Sequence, residues 1–544
     1  MTQAADLVLT NAEIHTLTDP DRTAEALAVR DGEIVRVGRA YEIDFLCGVE
    51  TTVLDLDGEV VLPGFVDAHT HLETLGRYLV HADLSGARSA AECVERLSTG
   101  AGDGTTDDEE AGEVRSTDDE EAGEVRSTDG EKAGEDGDDW VLGFGYDESA
   151  WEDDWRYLTR EDLDRVSETR PVVAFREDMH IASLNSVALS RYREAMPDGD
   201  VHEEGGEPTG AVVEDAVQVI HEAIRPGPAR MQELIRAAQA HANERGVTAI
   251  HDMVRHSQAP RIYRELDLAG ELTIRVRLNY WSHHLDAVLE LGLRTNHGSE
   301  FVRTGAIKTF TDGSIGSGTA RVGAPFHDSG GTGQWVVAPD ELASLVRRVD
   351  DAGLQLSAHA IGDVAIDETI TVFEAETADP AAARHRIEHV EVLTDELIER
   401  LADSGLVVSM QPNFLKWARE DGLYDARLGE QRRRESNRFG QLHEAGARLA
   451  FGSDGMPLDP LFGVHQVVTA PTEEQRLPVT DALRAYTAGA AYAGFDEDRL
   501  GTIEVGKRAD FVVLEASPWV QSDAIDEIDV ATTIVDGNVV YDGR

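Results

Sequence analysis

The sequence predicts an α/β fold: a (β/α)8 barrel of the TIM type, joined to a small composite β-sandwich made from both ends of the chain. Three observations predict it. Eight short apolar runs recur between residues 61 and 453, several of them directly preceded by an amphipathic helix. Both chain ends alternate apolar and polar residues with a period of two. Side chains able to bind metal fall at the ends of the apolar runs, where a parallel barrel keeps its chemistry.

The first 60 residues read as strands, as in Asp6-Leu7-Val8-Leu9 and Glu33-Ile34-Val35-Arg36-Val37, with an Asp31-Gly32 turn between the runs. Residues 500–544 read the same way. There Ala509 to Leu514 and Thr533 to Tyr541 are strands, the second broken into a hairpin at Asp536-Gly537. Each piece alone is too small to bury a sheet, so residues 1–60 plus 500–544 are expected to share one sandwich.

The barrel is assigned to 61–499. Its core strands are expected at 61–68, 247–251, 274–280, 305–310, 354–358, 386–389, 406–411 and 448–453. Helices separate several of them. Pro339 opens one with Leu342, Leu345, Val346 and Val349 on a single face and Gly353 beyond its end. Thr394 caps the next, which buries Leu397, Ile398 and Leu401 and stops at Gly405.

An insertion at about 72–245 separates the first two strands. It carries an apolar run at 171–175 and a helix around Met231, Leu234, Ile235 and Ala238. Within it the segment TDDEEAGEVRS, Thr106 to Ser116, recurs unchanged as Thr117 to Ser127. Each repeat offers one valine and a glycine, too little burial to offset ordering entropy, so 100–139 is expected to be a disordered acidic loop.

Composition narrows the function classes. The 544 residues include 105 acidic and 49 basic side chains, a formal charge of -56, which would repel a phosphate backbone and excludes a nucleic-acid partner. The acidic excess is spread along the chain, and only Lys132, Lys308, Lys416 and Lys507 are lysines; this combination points to a halophile cytosol, where salt screens self-repulsion. Two cysteines, Cys47 and Cys93, leave no disulfide framework. No apolar run approaches the roughly 20 residues that span a bilayer, so a cytoplasmic protein with no membrane partner is expected. A small-molecule substrate, and in a homo-oligomer further copies of the chain, are the expected partners.

The chemistry begins at Val60-Val61-Leu62-Pro63-Gly64-Phe65-Val66-Asp67-Ala68-His69-Thr70-His71. Alternate residues of a strand share a face, so His69 and His71 can converge on one metal ion. Further candidates end other strands: Lys308 the fourth, His359 the fifth, His389 the sixth and Asp454 the eighth. Any single histidine there could be chance among 19, but the joint pattern is harder to dismiss. Lys308 is the sharpest of them. In a chain that otherwise uses arginine, an amine at this position could react with carbon dioxide to a carbamate that bridges two divalent metals; a strand lysine paired with a carboxylate is the competing reading. Trp151, Trp281 and Phe310 could line an apolar pocket or simply pack.

With those residues in place, the chain resembles the amidohydrolase superfamily, in the branch of YtcJ-like proteins and N-substituted formamide deformylases. The matching segments are PGFVDAHTH at 63–71, IKTFTDGSIGSGTA at 307–320, HAIGD at 359–363, RIEH at 386–389, FGSD at 451–454 and LGTIEVGKRADFVVL at 500–514. The segment Phe175 to Ser186 is also similar, and Met179 departs from the Gly or Ser that the resemblance places beside His180.

The resemblance implies a metal-dependent hydrolase barrel cleaving a non-peptide, linear C–N bond of an amide, N-formyl or N-acyl amine. His69, His71 and Asp454 would hold one metal and His359 and His389 the second, with carboxylated Lys308 bridging. Zinc is the expected metal, with manganese and iron as alternatives. A hydroxide between the metals would attack the carbonyl, and Asp454 would carry its proton to the leaving nitrogen. Substrate contacts are expected from His180, Trp281, Phe310 and Asp312, and Asp67 and Asp312 are candidates for orienting the ligands. Two alternatives stand: a mononuclear deaminase, which needs no bridging lysine, and a non-catalytic regulatory or binding protein on the same fold.

Overall fold

The computed structural model describes residues 3–100, 140–148, 151, 156–177, 181–256 and 258–544. The acidic repeat and His180 lie outside them.

Eight parallel strands form one sheet, each paired with its neighbour in sequence: β1 (Phe65–Thr70), β2 (Val247–Val254), β3 (Arg275–Trp281), β4 (Val302–Phe310), β5 (Gln355–Ala360), β6 (Arg386–His389), β7 (Val407–Met410) and β8 (Arg448–Phe451). At the seam β8 returns to β1, where the Asp454 N–H donates to the His69 carbonyl at 2.7 Å. Every residue of β2, β5, β6 and β7 is buried, as expected of strands covered on both faces. The result is a nearly closed (β/α)8 barrel.

The helices stop where their sequences say. Helix Pro339–Asp351 starts on Pro339 and buries Leu342, Val346 and Val349. Helix Asp395–Ser404 is capped by Thr394, whose hydroxyl accepts from the Leu397 N–H, and Gly405 ends it at φ 73°.

One expectation needs correction. The run expected as a single strand over 61–68 is two strands broken at Gly64. Val60–Pro63 pairs antiparallel with Phe511–Leu514 and parallel with Glu13–His15, while β1 starts at Phe65. The backbone changes partner at the break: Gly64 N–H donates to the Asp510 carbonyl at 2.9 Å and Phe65 N–H to the Gly246 carbonyl at 3.0 Å. Only glycine suits the corner, because a β-carbon there would lie 2.3 Å from the Thr248 side chain.

The strands at both chain ends form two further sheets. A six-stranded sheet runs Asn538–Asp542, Val530–Val535, Phe511–Leu514, Val60–Pro63, Glu13–His15, Thr23–Ala24, and a four-stranded one runs Glu33–Gly38, Ala26–Arg30, Leu7–Thr10, Thr52–Asp55. Leu9, Val29 and Leu27 of one sheet and Val61, Phe511 and Ile534 of the other share a core. Asp31-Gly32 and Asp536-Gly537 both have positive φ at each residue, the geometry that lets a two-residue hairpin follow the strand twist.

Residues Glu73–Ala237 form a second compact unit. Its six-stranded sheet has the order Val201–Glu204, Glu207–Val213, Ile181–Leu184, Val172–Arg176, Val141–Tyr146, Ala82–Asp83. Trp151 is buried in this unit's core with Tyr146, Leu158 and Leu163. No helix among the described residues is long and apolar enough to cross a membrane.

Candidate metal centre

The barrel brings the strand-end candidates of its own five strands together. His71 follows β1 directly, and its Nε2 lies 3.1 Å from Asp454 Oδ1; the His69 Nε2 lies 3.6 Å from the same oxygen. Among the described residues these three are the group whose donor atoms all approach within 4.8 Å. His389 packs against both His69 and His359, with ring centroids 4.9 Å and 4.5 Å apart. Two of the candidates, His389 at φ 75° and Asp454 at φ 55°, have left-handed backbone, which costs a residue other than glycine about 1–3 kcal/mol and clusters at functional sites.

Each of the inner imidazoles has one ring nitrogen occupied by an acceptor. His69 Nδ1 donates to Glu388 Oε2 at 2.8 Å, His359 Nε2 to the Gly313 carbonyl at 3.0 Å and His389 Nδ1 to Gln411 Oε1 at 2.7 Å. In a neutral ring this leaves the opposite nitrogen a lone pair. Burial first, then the Lys308 charge, pushes His69 down to about 4 and His359 down to about 3; burial and the neighbouring imidazoles His359 and His69 hold His389 well below its usual range. At neutral pH all three are therefore neutral imidazoles, the form that binds metal.

Lys308 is 1% exposed, and its amine has no hydrogen-bond partner among the described residues. Burial lowers it to about 8. Asp454 is the opposite case: burial pushes it up, but His69 and His71 outweigh burial and hold the carboxyl well below its ordinary value.

Asp67 and Asp312 brace backbone. Asp67 Oδ1 accepts from the N–H groups of His69 and Ser453, each at 3.0 Å, tying β1 to the turn after β8. Asp312 accepts from the N–H groups of Ile361, Gly362 and Arg321 at 3.1, 2.9 and 2.8 Å, with one oxygen 3.6 Å from His359 Nε2. Trp281 meets Phe310 edge to face at 4.9 Å, and Phe310 lies 5.3 Å from the His359 ring, so the two aromatics form an apolar wall beside His359.

Sequence reasoning missed the groups beneath the ligands. Glu388 also accepts from Ser357 Oγ at 2.6 Å and Arg386 Nε at 2.8 Å, and Arg386 in turn donates to the Ala68 carbonyl at 2.6 Å. A signal for them existed. Arg386 and Glu388 sit at i and i+2 in a run expected as a core strand, so both charges face one side of a buried sheet, where each needs a partner.

A parallel barrel with imidazoles, an amine and a carboxylate gathered at the carboxyl ends of its strands defines the class, a barrel hydrolase. The chain belongs to the amidohydrolase family, whose family model matches residues 52–541. It is similar to the protein YtcJ of Bacillus subtilis (strain 168), 30% identical over 97% of this chain and 98% of that one, and to the N-substituted formamide deformylase of Arthrobacter pascens, 25% identical over 100% and 99%. Among solved structures it resembles an uncharacterized metal-dependent hydrolase from Pyrococcus furiosus, with 28% identity, a TM-score of 0.77 and coverage of 94% of this chain and 99% of that one. The chain is accordingly a hydrolase acting on carbon-nitrogen bonds other than peptide bonds.

Proposed function

We propose that this chain is a binuclear metal hydrolase that cleaves a linear N-formyl or N-acyl amine. His69, His71 and Asp454 would hold one divalent ion and His359 and His389 a second, with a carbamate on Lys308 shared between them; zinc suits this nitrogen and oxygen donor set. The observation that carries the reading is Lys308. A buried amine with no hydrogen-bond partner is costly as an ammonium, whereas its carbamate is an anion with two oxygens to offer among neutral imidazoles. The donor set therefore fits the metals that the family implies.

When bound, the metal ions supply an acidified water and a Lewis acid for the substrate carbonyl. The chain's own residues do the rest. Asp454, ionised and 3.1 Å from His71, accepts a proton from the attacking water and returns it to the leaving nitrogen, so that the amine departs neutral. Glu388, Gln411 and the Gly313 carbonyl keep three imidazoles in the ligating tautomer. Trp281 and Phe310 present an apolar wall to the acyl or amine substituent, and Asp312 fixes the turn at Ile361 and Gly362 that follows His359 at the end of β5. The deformylase relative, matched over its whole length, supports a linear C–N bond.

Metal analysis of the purified protein, together with a screen against N-formyl and N-acyl amines in molar KCl, tests the reading. Two equivalents per chain and amine release are expected. One equivalent that survives Lys308→Ala, with ammonia as product, would instead identify a mononuclear deaminase. Full metal occupancy without turnover across the panel would favour a binding role.

A further inference from the structure

At the opposite end of the barrel from the metal centre, near the amino-terminal ends of β2, β3 and β4, lies a cavity of about 10 Å³ lined by His251, Arg277, Arg303, Asp496, Arg499 and Glu300 among others. That is room for about one water-sized species. Three guanidinium groups share two carboxylates around it. Asp496 takes Arg277 Nε at 2.6 Å, Arg499 Nη1 at 3.0 Å and Arg303 Nη1 at 3.5 Å; Glu300 takes Arg499 Nη2 at 2.5 Å and Arg303 Nη2 at 3.6 Å. Arg275, which also lines the cavity, does not change the balance, because Asp510 holds it at 2.7 Å. One positive charge is left over.

The surplus has an address. Arg277 is 4% exposed, and both its Nη1 and Nη2 are buried with no acceptor among the described residues. His251 adds a donor. Its Nδ1 lies 2.7 Å from Arg386 Nη1, which can only donate, so the neutral ring carries its hydrogen on Nε2. That Nε2 and the Arg277 Nε both crowd Gly494: a β-carbon on Gly494 would lie 2.6 Å from one and 2.7 Å from the other. Burial and Arg499 hold the Arg303 guanidinium below its ordinary value, in keeping with unbalanced positive charge.

We propose that this cavity binds one monovalent anion of the chloride class. A water here could give its hydrogens to Asp496 and Glu300, but it would leave the surplus positive charge unanswered. A halide accepts from every donor and supplies the missing negative charge.

Crystals of the full-length protein grown or soaked in bromide test this directly. An anomalous peak within hydrogen-bond reach of Arg277 Nη1 or Nη2 is expected, and its absence at saturating bromide would overturn the proposal. In solution, replacing sodium methanesulfonate by sodium chloride at constant ionic strength should raise the thermal midpoint along a saturable curve. Identical midpoints in the two salts would also overturn it. Arg303→Gln lowers the net charge of the cluster by one at a partly exposed position, and should raise the half-saturating chloride concentration at least tenfold. Arg277→Gln, if it folds, should do the same.

Discussion

Replacing Glu388 by glutamine separates the positioning of the metal site from the stability of the barrel. The carboxylate is fully buried and accepts from His69 Nδ1, Ser357 Oγ and Arg386 Nε at 2.8, 2.6 and 2.8 Å. Glutamine keeps the shape and removes the charge. Arg386, 1% exposed, then remains a buried cation held only by neutral acceptors, a loss of about 3–5 kcal/mol. His69 also loses its charged acceptor, and a disrupted partner behind a metal-ligating histidine lowers metal affinity about 10–100-fold. Urea denaturation of the apoprotein reads the first effect, as a lower midpoint with an unchanged slope. Chelator competition on the loaded protein reads the second. The double variant Glu388→Gln with Arg386→Met removes the stranded cation and should recover most of the stability, while metal affinity stays low. If metal affinity recovers together with stability, or never falls in the single variant, Glu388 is only a counter-ion for Arg386 and the reasoning about His69 fails.

Lys308→Ala should lower zinc from two equivalents to one or none, measured by metal analysis, with bicarbonate unable to restore it. Asp454→Asn should cut turnover by about 10²–10⁴-fold on whichever formamide or amide proves to be a substrate, in steady-state assays at fixed metal loading. Gly64→Ala forces a β-carbon to 2.3 Å from Thr248 and should cost about 1–3 kcal/mol in denaturant unfolding; an unchanged midpoint would mean that the corner has slack. Burial pushes the Cys93 thiol up to about 12, so its thiolate is scarce at pH 8, whereas Cys47 is exposed. One thiol should therefore react with a disulfide reagent in the native protein at pH 8 and two after denaturation; two in the native state would contradict the packing of Cys93.

Much of the barrel was legible because its strands are buried on both faces. Runs such as Leu356 to Ala360 and Val407 to Met410 need little more than their neighbours to be recognised, and the ends of these two strands differ from the expected ones by no more than two residues. Thr394 and Gly405 mark a helix for local reasons, a hydroxyl that caps and a residue that tolerates positive φ. The break at Gly64 was not legible, because the residues on either side are equally apolar. Which sheet receives each N–H depends on Asp510 and Gly246, both far away in the chain.

By itself the sequence determined the fold class and the identities of the groups at the strand ends, since both follow from local patterning and from chemistry that few side chains can supply. Only the tertiary structure decided what surrounds those groups. Asp67 ties the two barrel ends together across 386 residues, Glu388 orients a histidine 319 residues away, and three arginines from β3, β4 and the segment after residue 494 converge on Asp496. Such pairings are set by barrel closure. A buried charge announces that it needs a partner, but which distant residue answers depends on the three-dimensional course of the chain.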